Sequence, residues 1–383
     1  MTPATPPTVQ LPLAGPPRGF PAAEHESRIR RLIAILKRRK LDGAIITGSV
    51  ARLYYTGLAS SAGTLWVDAR EGPVFVVDFR YIFKARAAIP FLPCLLQKRD
   101  SRDERRLMKQ AGRWTRCGYE GQEPAATLAR HRERLPSVTE WEDISPLILE
   151  QRAVKSPREQ RALRRAIRAN DDLLASLLPQ LHPGLSEWEI RGLVRREADR
   201  LGQGEAFETI ACAGANGAEC HHEPGCDRLG PDQPLLLDFG LRLDHYCADL
   251  TRCIGFGRIA RRYRDVHALV LAANRRAIAA IRPGMTGAEV DAVARDHLAK
   301  AGHGAAFGHG LGHGLGLEVH EAPAFSPTCE TRIRPGMVLT VEPGVYLAGR
   351  LGIRIEDVVL ITRDGCEVLS RSPHWIERPN SIH

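Results

Sequence analysis

Residues 308–321 read GHGLGHGLGLEVHE and place three histidines, His309, His313 and His320, within a short segment. Glycine occupies every second position from 308 to 316, although a glycine in a regular element costs about 0.5–1 kcal/mol relative to alanine. Neutral imidazole is a good ligand for divalent transition metals, and glycine allows two backbones to approach closely. The segment therefore predicts a functional site, with a glycine-rich loop and incidental histidines as the alternative.

Two aspartates upstream lie at the ends of apolar, strand-like runs. Asp238 follows Leu235–Leu237, and Asp249 lies eleven residues later. If the runs form a hairpin around residues 243–244, facing residues have numbers that sum to 487 and Asp238 faces Asp249. Opposed carboxylates repel each other unless a cation lies between them. The alternative is a pair of surface aspartates that flank a turn.

Two glutamates downstream also lie in apolar runs. Glu342 follows the run 338–341, and Glu356 follows 352–355 with Arg354 on the same face. A salt bridge with Arg354 is the alternative interpretation for Glu356. Four carboxylates and at least one histidine form an oxygen-rich set that suits two divalent ions such as Mn, Co or Zn. Two ions that share bridging carboxylates can hold a hydroxide as nucleophile.

Elements of secondary structure alternate along the first part of the chain. Residues 25–43 predict an amphipathic helix, and the runs 43–48, 63–68 and 73–79 predict strands, so a small α/β domain extends to about residue 148. Ser156, Pro157 and Glu159 form a helix-start signal. Helices are predicted at 157–179, 185–201, 260–281 and 287–302 among strand-rich segments. The second half is therefore predicted to be an α+β domain.

Composition is typical of a globular protein and excludes several classes. The chain has 383 residues, which is enough for about two domains. The first 23 residues contain seven prolines and predict a disordered tail, followed by domains at 24–150 and 151–383. No apolar run is long enough to cross a membrane. Nine cysteines without a C-x-x-C pair indicate a reducing compartment, and we expect the cytoplasm.

The net charge of +9 raises the question of a nucleic-acid partner. The arginines in 28–40 and 161–171 alternate with Leu, Ile and Ala at helical spacing, which is typical of the solvated faces of amphipathic helices. No zinc-finger spacing or RNA-binding aromatic motif accompanies them. We therefore expect neither a nucleic-acid nor a membrane partner.

The complete series of motifs is specific to one family. In order, it reads D-x10-D from Asp238, HG-x2-HG-x3-E-x-HE-x-P from His309, T-x-E-P-G around Glu342, and G-I-R-I-E-D through Glu356. This series resembles the pita-bread metallopeptidases, in the branch of Xaa-Pro aminopeptidases (aminopeptidase P) and Xaa-Pro dipeptidases (prolidases). The stretch 77–81, VDFRY, is similar to part of a creatinase-like N-terminal domain. The resemblance extends over about residues 25–375.

The resemblance implies a role for each matched residue. The metal ligands would be Asp238, Asp249, His313, Glu342 and Glu356. Among them, Asp249 and Glu356 would bridge two ions, Asp238 would complete one site, and His313 with Glu342 would complete the other. Glu342 would also accept a proton when the water that bridges the two ions attacks the peptide bond. The substrate-binding residues would be His221, His309, His320 and Arg354, and His221 and His320 would also steady the tetrahedral intermediate.

The family's fold and activity follow as expectations. They are an α+β pita-bread catalytic domain preceded by a smaller α/β domain, a homodimer, and two divalent ions per subunit, with Mn expected and Co or Zn possible. The substrate would be a peptide with proline in second position, cleaved by an Xaa-Pro aminopeptidase, or a dipeptide cleaved by a prolidase. Rival interpretations are a creatinase-like amidinohydrolase and a non-catalytic binding module, and the complete ligand set argues against both.

This chain departs from the family pattern at three positions. Cys220 replaces the usual proline before the first substrate histidine, and His222 follows that histidine, so His222 could substitute for His221. His245 replaces the usual glycine before Tyr246, and the register of the hairpin could therefore differ from the one proposed above. None of these positions is a predicted metal ligand.

Overall fold

The structure, a computed structural model, describes residues 19–99 and 101–380. The chain divides into two compact units between Arg152 and Ala153, two residues after the predicted boundary. Most of the predicted tail lies outside the described residues, and the first helix begins at Ala22, within the last part of the segment assigned to that tail. No helix in the described part of the chain is both long and apolar enough to cross a membrane.

The first unit contains a mixed sheet. Its strands are β1 (Gly43–Ile46), β2 (Thr64–Asp68), β3 (Gly72–Val77), β4 (Cys94–Leu96), β5 (Arg116–Tyr119) and β6 (Glu140–Asp143). Its helices are α1 (Ala22–Arg39), α2 (Ser49–Thr56), α3 (Ile82–Ala88), α4 (Arg102–Ala111), α5 (Ala125–Arg134) and α6 (Ser145–Ala153). The strand order is β4-β3-β2-β1-β5-β6. Strand β2 is antiparallel to both β1 and β3, and the pairs β3–β4, β1–β5 and β5–β6 are parallel. The predicted α/β domain is confirmed.

The first helix starts and ends earlier than predicted. It was expected at 25–43 and spans Ala22–Arg39. Lys40 adopts a left-handed conformation with φ of 58°, and its N–H bonds back to carbonyls of the last turn. This left-handed residue ends the helix, so Gly43 is free to begin β1.

The second unit is an α+β domain, as predicted. Its helices are α7 (Pro157–Leu177), α8 (Glu187–Leu201), α9 (Arg261–Ala280) and α10 (Gly287–Lys300). Its first strands are β7 (Ile210–Ala213), β8 (Pro234–Phe239), β9 (Arg242–Leu243), β10 (Tyr246–Cys247) and β11 (Leu250–Phe256). The later strands are β12 (Gly312–Gly314), β13 (Glu321–Phe325), β14 (Val338–Val341), β15 (Gly344–Leu347), β16 (Leu351–Arg354), β17 (Asp357–Ile361), β18 (Cys366–Val368) and β19 (Trp375–Arg378).

Two larger sheets and two small hairpins arrange these strands. The sheets have the orders β19-β11-β8-β7 and β13-β12-β14-β17-β18, and the hairpins are β9–β10 and β15–β16. Apolar side chains of α7 and α8 share a core with β8 and β11, whereas α9 and α10 share a core with β14, β16 and β17. Strands that are covered by helices consist of nearly continuous runs of apolar residues. Carboxylates next to such runs are therefore conspicuous in the sequence.

The second unit, which corresponds to the predicted catalytic domain and is called the catalytic unit below, contains an internal repeat that inspection of the sequence did not reveal. The segments PGLSEWEI (183–190) and PGMTGAEV (283–290) are exactly one hundred residues apart. Ser186 and Thr286 each cap a helix in a capping box with a glutamate three residues later. Arg228 and Arg332 each donate a hydrogen bond, of 2.6 Å, to the carbonyl of the glycine that precedes the cap. After each helix pair, a small hairpin separates two strands: β9–β10 lies between β8 and β11, and β15–β16 lies between β14 and β17.

The register of the first hairpin differs from the prediction. Thr251, rather than Asp249, faces Asp238, and facing residues sum to 489. Asp244 and His245 both have positive φ, 52° and 69°, so they are the two central residues of the turn. The turn is therefore centred one residue later than expected. Asp249 still shares a face with Thr251, since side chains alternate along a strand, and so it becomes the diagonal neighbour of Asp238.

Candidate metal centre

The four carboxylates among the predicted ligands flank the two small hairpins of the catalytic unit. Asp238 lies near the end of β8 and Asp249 immediately precedes β11, with the hairpin β9–β10 between them. Glu342 immediately follows β14 and Glu356 immediately precedes β17, with β15–β16 between them. The register of β14 with β17, if continued by one residue, sets Glu342 opposite Glu356. Each half of the repeat thus presents two carboxylates beside its small hairpin, as diagonal neighbours in the first half and as facing residues in the second.

His313 lies in β12, beside β14, and its ring lies among these carboxylates. Its Nε2 atom is 3.2 Å from Glu342 Oε1 and 3.6 Å from Asp249 Oδ2. Asp249, His313 and Glu356 each offer a ligand atom, and the three atoms lie within 4.8 Å of one another. Nδ1 of His313 is 3.1 Å from the carbonyl of Gly314. A proton on Nδ1 would satisfy that carbonyl and leave the lone pair of Nε2 directed at the carboxylates.

The carboxylates repel each other strongly in this environment. Burial, together with the charges of Glu356 and Asp238, raises the pKa of Asp249 well above its usual value. Burial and the charge of Glu342 likewise raise the pKa of Glu356, and burial raises that of Asp238 despite the attraction of Arg354. For Glu342, the hydrogen bond and charge of His313 outweigh burial and lower the pKa. Cations bound among these carboxylates would reduce the repulsion between them.

Two oxygens of the predicted carboxylate ligands lack a hydrogen-bond partner among the described residues, which is a second observation that bears on metal binding. Asp238 Oδ1 and Glu356 Oε1 are buried and accept no hydrogen bond from the described residues. Buried carboxylate oxygens normally have partners. Their other oxygens are bonded, to Arg354 and to the Thr251 hydroxyl respectively. One oxygen of each carboxylate is therefore held by the protein, and the other is available to a cation, so the residues fit divalent ions.

Two threonines orient these ligands. Thr251 Oγ1 donates to Glu356 Oε2 over 2.9 Å, and it accepts from Arg354 Nε over 3.1 Å. Thr340 Oγ1 donates to Glu342 Oε1 over 3.2 Å and accepts from the backbone N–H of His313 over 3.0 Å. Sequence inspection assigned no role to either threonine. The available signal was alternation, because each lies two residues from a predicted ligand and therefore on the same face of its strand.

All nine predicted site residues line one cavity of about 670 Å³. The ring of His320 packs edge-on against His313 with centroids 4.3 Å apart, and His221 reaches the same cavity from the loop after β7. Burial lowers the pKa of His320, and the neighbouring His313 lowers it further, which favours a neutral ring. The sequence therefore identified nine of the ionisable groups that line the cavity, although it could not show their distances. Arg191, Glu208 and Glu223 also line it and were not singled out.

Arg354 and His309 are connected through a residue that sequence inspection missed. Arg354 Nη1 donates to the Tyr346 hydroxyl over 2.9 Å, and that hydroxyl lies 2.8 Å from His309 Nε2. His309 Nδ1 lies 2.7 Å from the carbonyl of Gly310, so Nε2 is the acceptor when Nδ1 carries the proton. Arg354 also contacts Asp238, as described above. Tyr346 lies on the same face of the β15–β16 hairpin as Arg354, but no spacing in the sequence indicates that contact.

The contacts of His222 differ from those of His221, although both residues line the cavity. Its Nε2 lies 2.7 Å from Glu187 Oε2 and its Nδ1 lies 3.0 Å from Glu219 Oε2. Both ring nitrogens are thus engaged by carboxylates of the protein. His221 is exposed to the cavity, so the structure supports His221 as the substrate-facing histidine of the pair.

Comparison with known families defines the class of the protein. The model of metallopeptidase family M24 matches residues 161–363, and the model of the creatinase/prolidase N-terminal domain matches residues 28–154. The chain belongs to metallopeptidase family M24. The pita-bread catalytic domain and the creatinase-like domain before it are therefore confirmed, and the family implies that this enzyme uses divalent metal ions.

Relatives and solved structures resemble the chain over nearly its whole length. An Xaa-Pro dipeptidase of Pyrococcus furiosus is 30% identical over 350 residues, which are 91% of this chain and 98% of the relative. An Xaa-Pro dipeptidase structure from Bacillus anthracis has a TM-score of 0.86 at 29% identity and covers 92% of this chain and 100% of its own. An X-Pro aminopeptidase structure from Thermotoga maritima has a TM-score of 0.83 at 28% identity, covering 92% and 100%.

Proposed function

We propose that this metallopeptidase hydrolyses the bond between an N-terminal residue and a following proline. The observation that carries the proposal is the convergence of five predicted ligands and four predicted substrate-binding residues on one cavity. Relatives named as Xaa-Pro dipeptidase and X-Pro aminopeptidase support the proline specificity.

Two divalent ions would be held by one shared set of side chains. Asp249 and Glu356 would be shared by the two ions, and their ligand atoms lie within 4.8 Å of each other and of that of His313. Asp238 would complete one ion site, and His313 with Glu342 would complete the other. Such ions polarise a scissile carbonyl and lower the pKa of water towards neutrality. Mn is the ion that we propose, and Co and Zn are alternatives for the same oxygen-rich ligand set.

The side chains of the chain itself would position the substrate and move protons. Glu342 would accept the proton that the attacking water loses, and its carboxyl group could return that proton to the proline nitrogen as the bond breaks. His221 and His320 would donate hydrogen bonds to the oxygen that becomes negative in the tetrahedral intermediate. Arg354 and His309, linked through Tyr346, would line the part of the cavity that orients the substrate.

Dipeptides and longer peptides remain two candidate substrate classes for this site. The Xaa-Pro dipeptidase relatives support a prolidase. The volume of the cavity, about 670 Å³, favours an Xaa-Pro aminopeptidase because it could accept residues beyond proline. We expect turnover of at least one substrate class with either assignment.

The deciding experiment compares hydrolysis of Ala-Pro, Ala-Pro-Ala and Ala-Ala-Ala by metal-stripped enzyme resupplied with Mn, Co or Zn. Cleavage of Ala-Pro alone defines a prolidase, and efficient cleavage of Ala-Pro-Ala defines an aminopeptidase. Ala-Ala-Ala is the control for proline specificity. Failure on every peptide with every metal would contradict the proposal and favour a non-catalytic binding module.

We also propose that the chain forms a homodimer in a reducing compartment such as the cytoplasm. Phe79 and Phe83 are 70% and 71% exposed and pack edge-on against each other in the N-terminal unit. Exposed aromatic pairs of this kind are typical of interaction sites. Light scattering should show a dimer that the double variant Phe79→Ser/Phe83→Ser weakens and the control Val368→Ser leaves intact.

The nine cysteines are free thiols, which fits a reducing environment.

A further inference from the structure

The loop that carries His221 is fastened at both ends to one buried carboxylate. Glu187, the first residue of α8, is fully buried. Its Oε1 accepts hydrogen bonds from the backbone N–H of Ala213 over 2.8 Å and from Asn216 Nδ2 over 2.9 Å. Its Oε2 accepts from the backbone N–H of Gly225 over 3.0 Å. The start and the end of the segment 213–225 thus converge on a single side chain.

His222 completes this arrangement. Its two nitrogens face Glu187 and Glu219, the charged groups that approach the ring, and Asp227 joins the network through Asn216. Carboxylates only accept hydrogen bonds, so both contacts are made at once only when the ring carries two protons. Burial lowers the pKa of His222, but the hydrogen bonds to Glu187 and Glu219 outweigh burial and raise it.

The opposite side of the same loop is held from within the cavity. Arg354 Nη1 donates to the carbonyl of Cys220 over 3.3 Å. Gly217 lies so close to Gly352 of β16 that a Cβ atom on Gly352 would be 1.5 Å from the Gly217 carbonyl oxygen. His221 therefore projects from a segment that is held from two directions. Removal of the attachment at Glu187 should loosen it without disturbing the five proposed metal ligands.

We propose that Glu187 and His222 are positioning residues that hold the loop so that His221 faces the substrate. The substrate role of His221 rests on the proposed function, whereas the attachment of the loop does not. The pair also makes the loop sensitive to pH, since a neutral His222 loses one of its two donors and turns a lone pair towards a carboxylate. Alkaline pH should therefore loosen the loop.

Hydrogen exchange in the holoenzyme tests the attachment without any substrate. Glu187→Ala should accelerate exchange of the amides of Ala213 and Gly225 by about tenfold or more, since each loses its acceptor. Glu189→Ala is the matched control, because Glu189 lies on the same helix and caps its N terminus but does not contact the loop. Unchanged exchange in Glu187→Ala, or equal acceleration in the control, would overturn the proposal.

Kinetics test whether the attachment serves catalysis. His222→Ala should lower kcat/KM for the best Xaa-Pro substrate about tenfold near pH 6.5, with unchanged affinity for the added metal. The difference from wild type should shrink to less than about threefold as the pH rises through the raised pKa of His222, because the wild-type ring then also loses one of its donors. A constant difference across pH, or a loss of metal affinity, would contradict the positioning role. If no peptide is cleaved by wild type, the proposed function fails while the exchange result stands independently.

Discussion

Glu356 is the residue at which stability and metal binding conflict most clearly. It is 1% exposed, its Oε1 has no partner among the described residues, and neighbouring carboxylates raise its pKa. Glu356→Gln would keep the acceptor for Thr251 and place an amide N–H₂ towards the other carboxylates. We expect the metal-free variant to be more stable than metal-free wild type by about 1–3 kcal/mol, because a repulsive charge is removed.

The same variant should lose metal affinity and turnover together. Urea unfolding after chelation measures the first effect, and calorimetric titration with Mn measures the second. Glu330→Gln, at an exposed position, is the control and should change neither quantity. A metal-free Glu356→Gln protein that is less stable than wild type would show that the carboxylate is not repelled in the way described.

At the residue scale, the sequence predicted nine of the ionisable groups that line the cavity but not the groups that orient them. The four carboxylates could be identified because charged side chains in apolar runs are expensive unless they have partners. His309, His313 and His320 were identified as a histidine cluster, and the roles of His221 and Arg354 came from the family resemblance. Tyr346, Thr251 and Glu187 are ordinary residues of a strand or a helix start, and their roles depend on contacts across 8, 105 and up to 38 positions. Such contacts exist only after the chain has folded.

At the element scale, the glycines of the opening segment differ in what they permit. A Cβ atom on Gly312, in β12, would lie 2.1 Å from the carbonyl oxygen of Thr340 in the neighbouring strand. A Cβ atom on Gly308 would meet nothing within 4 Å. The strand therefore requires glycine at 312 because two backbones come unusually close there, and it does not require glycine at 308.

We expect Gly312→Ala to reduce the free energy of unfolding by about 2 kcal/mol or more, since a backbone carbonyl cannot move aside without loss of strand pairing. Gly308→Ala, four residues away in the same motif, should lie within about 0.5 kcal/mol of wild type. Urea unfolding of both variants makes the comparison. Equal stability of the two variants would mean that the contact at Gly312 relaxes freely.

Element positions were predictable to within a few residues, but the hairpin register was not. The sequence around residues 243–246 allows more than one turn, and the left-handed conformations of Asp244 and His245 select the observed one. The internal repeat was missed for a related reason. Its two copies share few identical residues, and their correspondence lies in capping, backbone pairing and strand order rather than in composition.

At the scale of the whole molecule, each unit contains a buried histidine that is held neutral. Burial lowers the pKa of His25 to about 4, and burial likewise lowers that of His267 to about 4. His25 Nδ1 lies 3.1 Å from the carbonyl of Tyr54, with Arg28 and Glu24 as its charged neighbours. His267 Nε2 lies 3.1 Å from the carbonyl of His374, with the ring of His374 and Arg252 adding positive charge nearby.

Since both folded pKa values lie below the unfolded value, the stabilisation is complete above about pH 6.5 and is lost as the pH falls towards 4. Each histidine could contribute up to about 3 kcal/mol to this loss. His25→Gln and His267→Gln retain a donor to the carbonyl but cannot ionise. Each variant should show a shallower decline of unfolding free energy between pH 6.5 and 5 than wild type, and identical slopes would contradict the assignment.

The repeat within the catalytic unit divides the ligand set unequally between its two copies. The first copy supplies Asp238 and Asp249, and the second supplies His313, Glu342 and Glu356. Neither copy alone has enough donors to surround two ions. If the copies descend from a duplicated ancestor, that ancestor could have built such a centre only by pairing with itself. Fusion of two such copies into one chain would let each lose or gain ligands independently, and a symmetric site could then acquire a histidine on one side only.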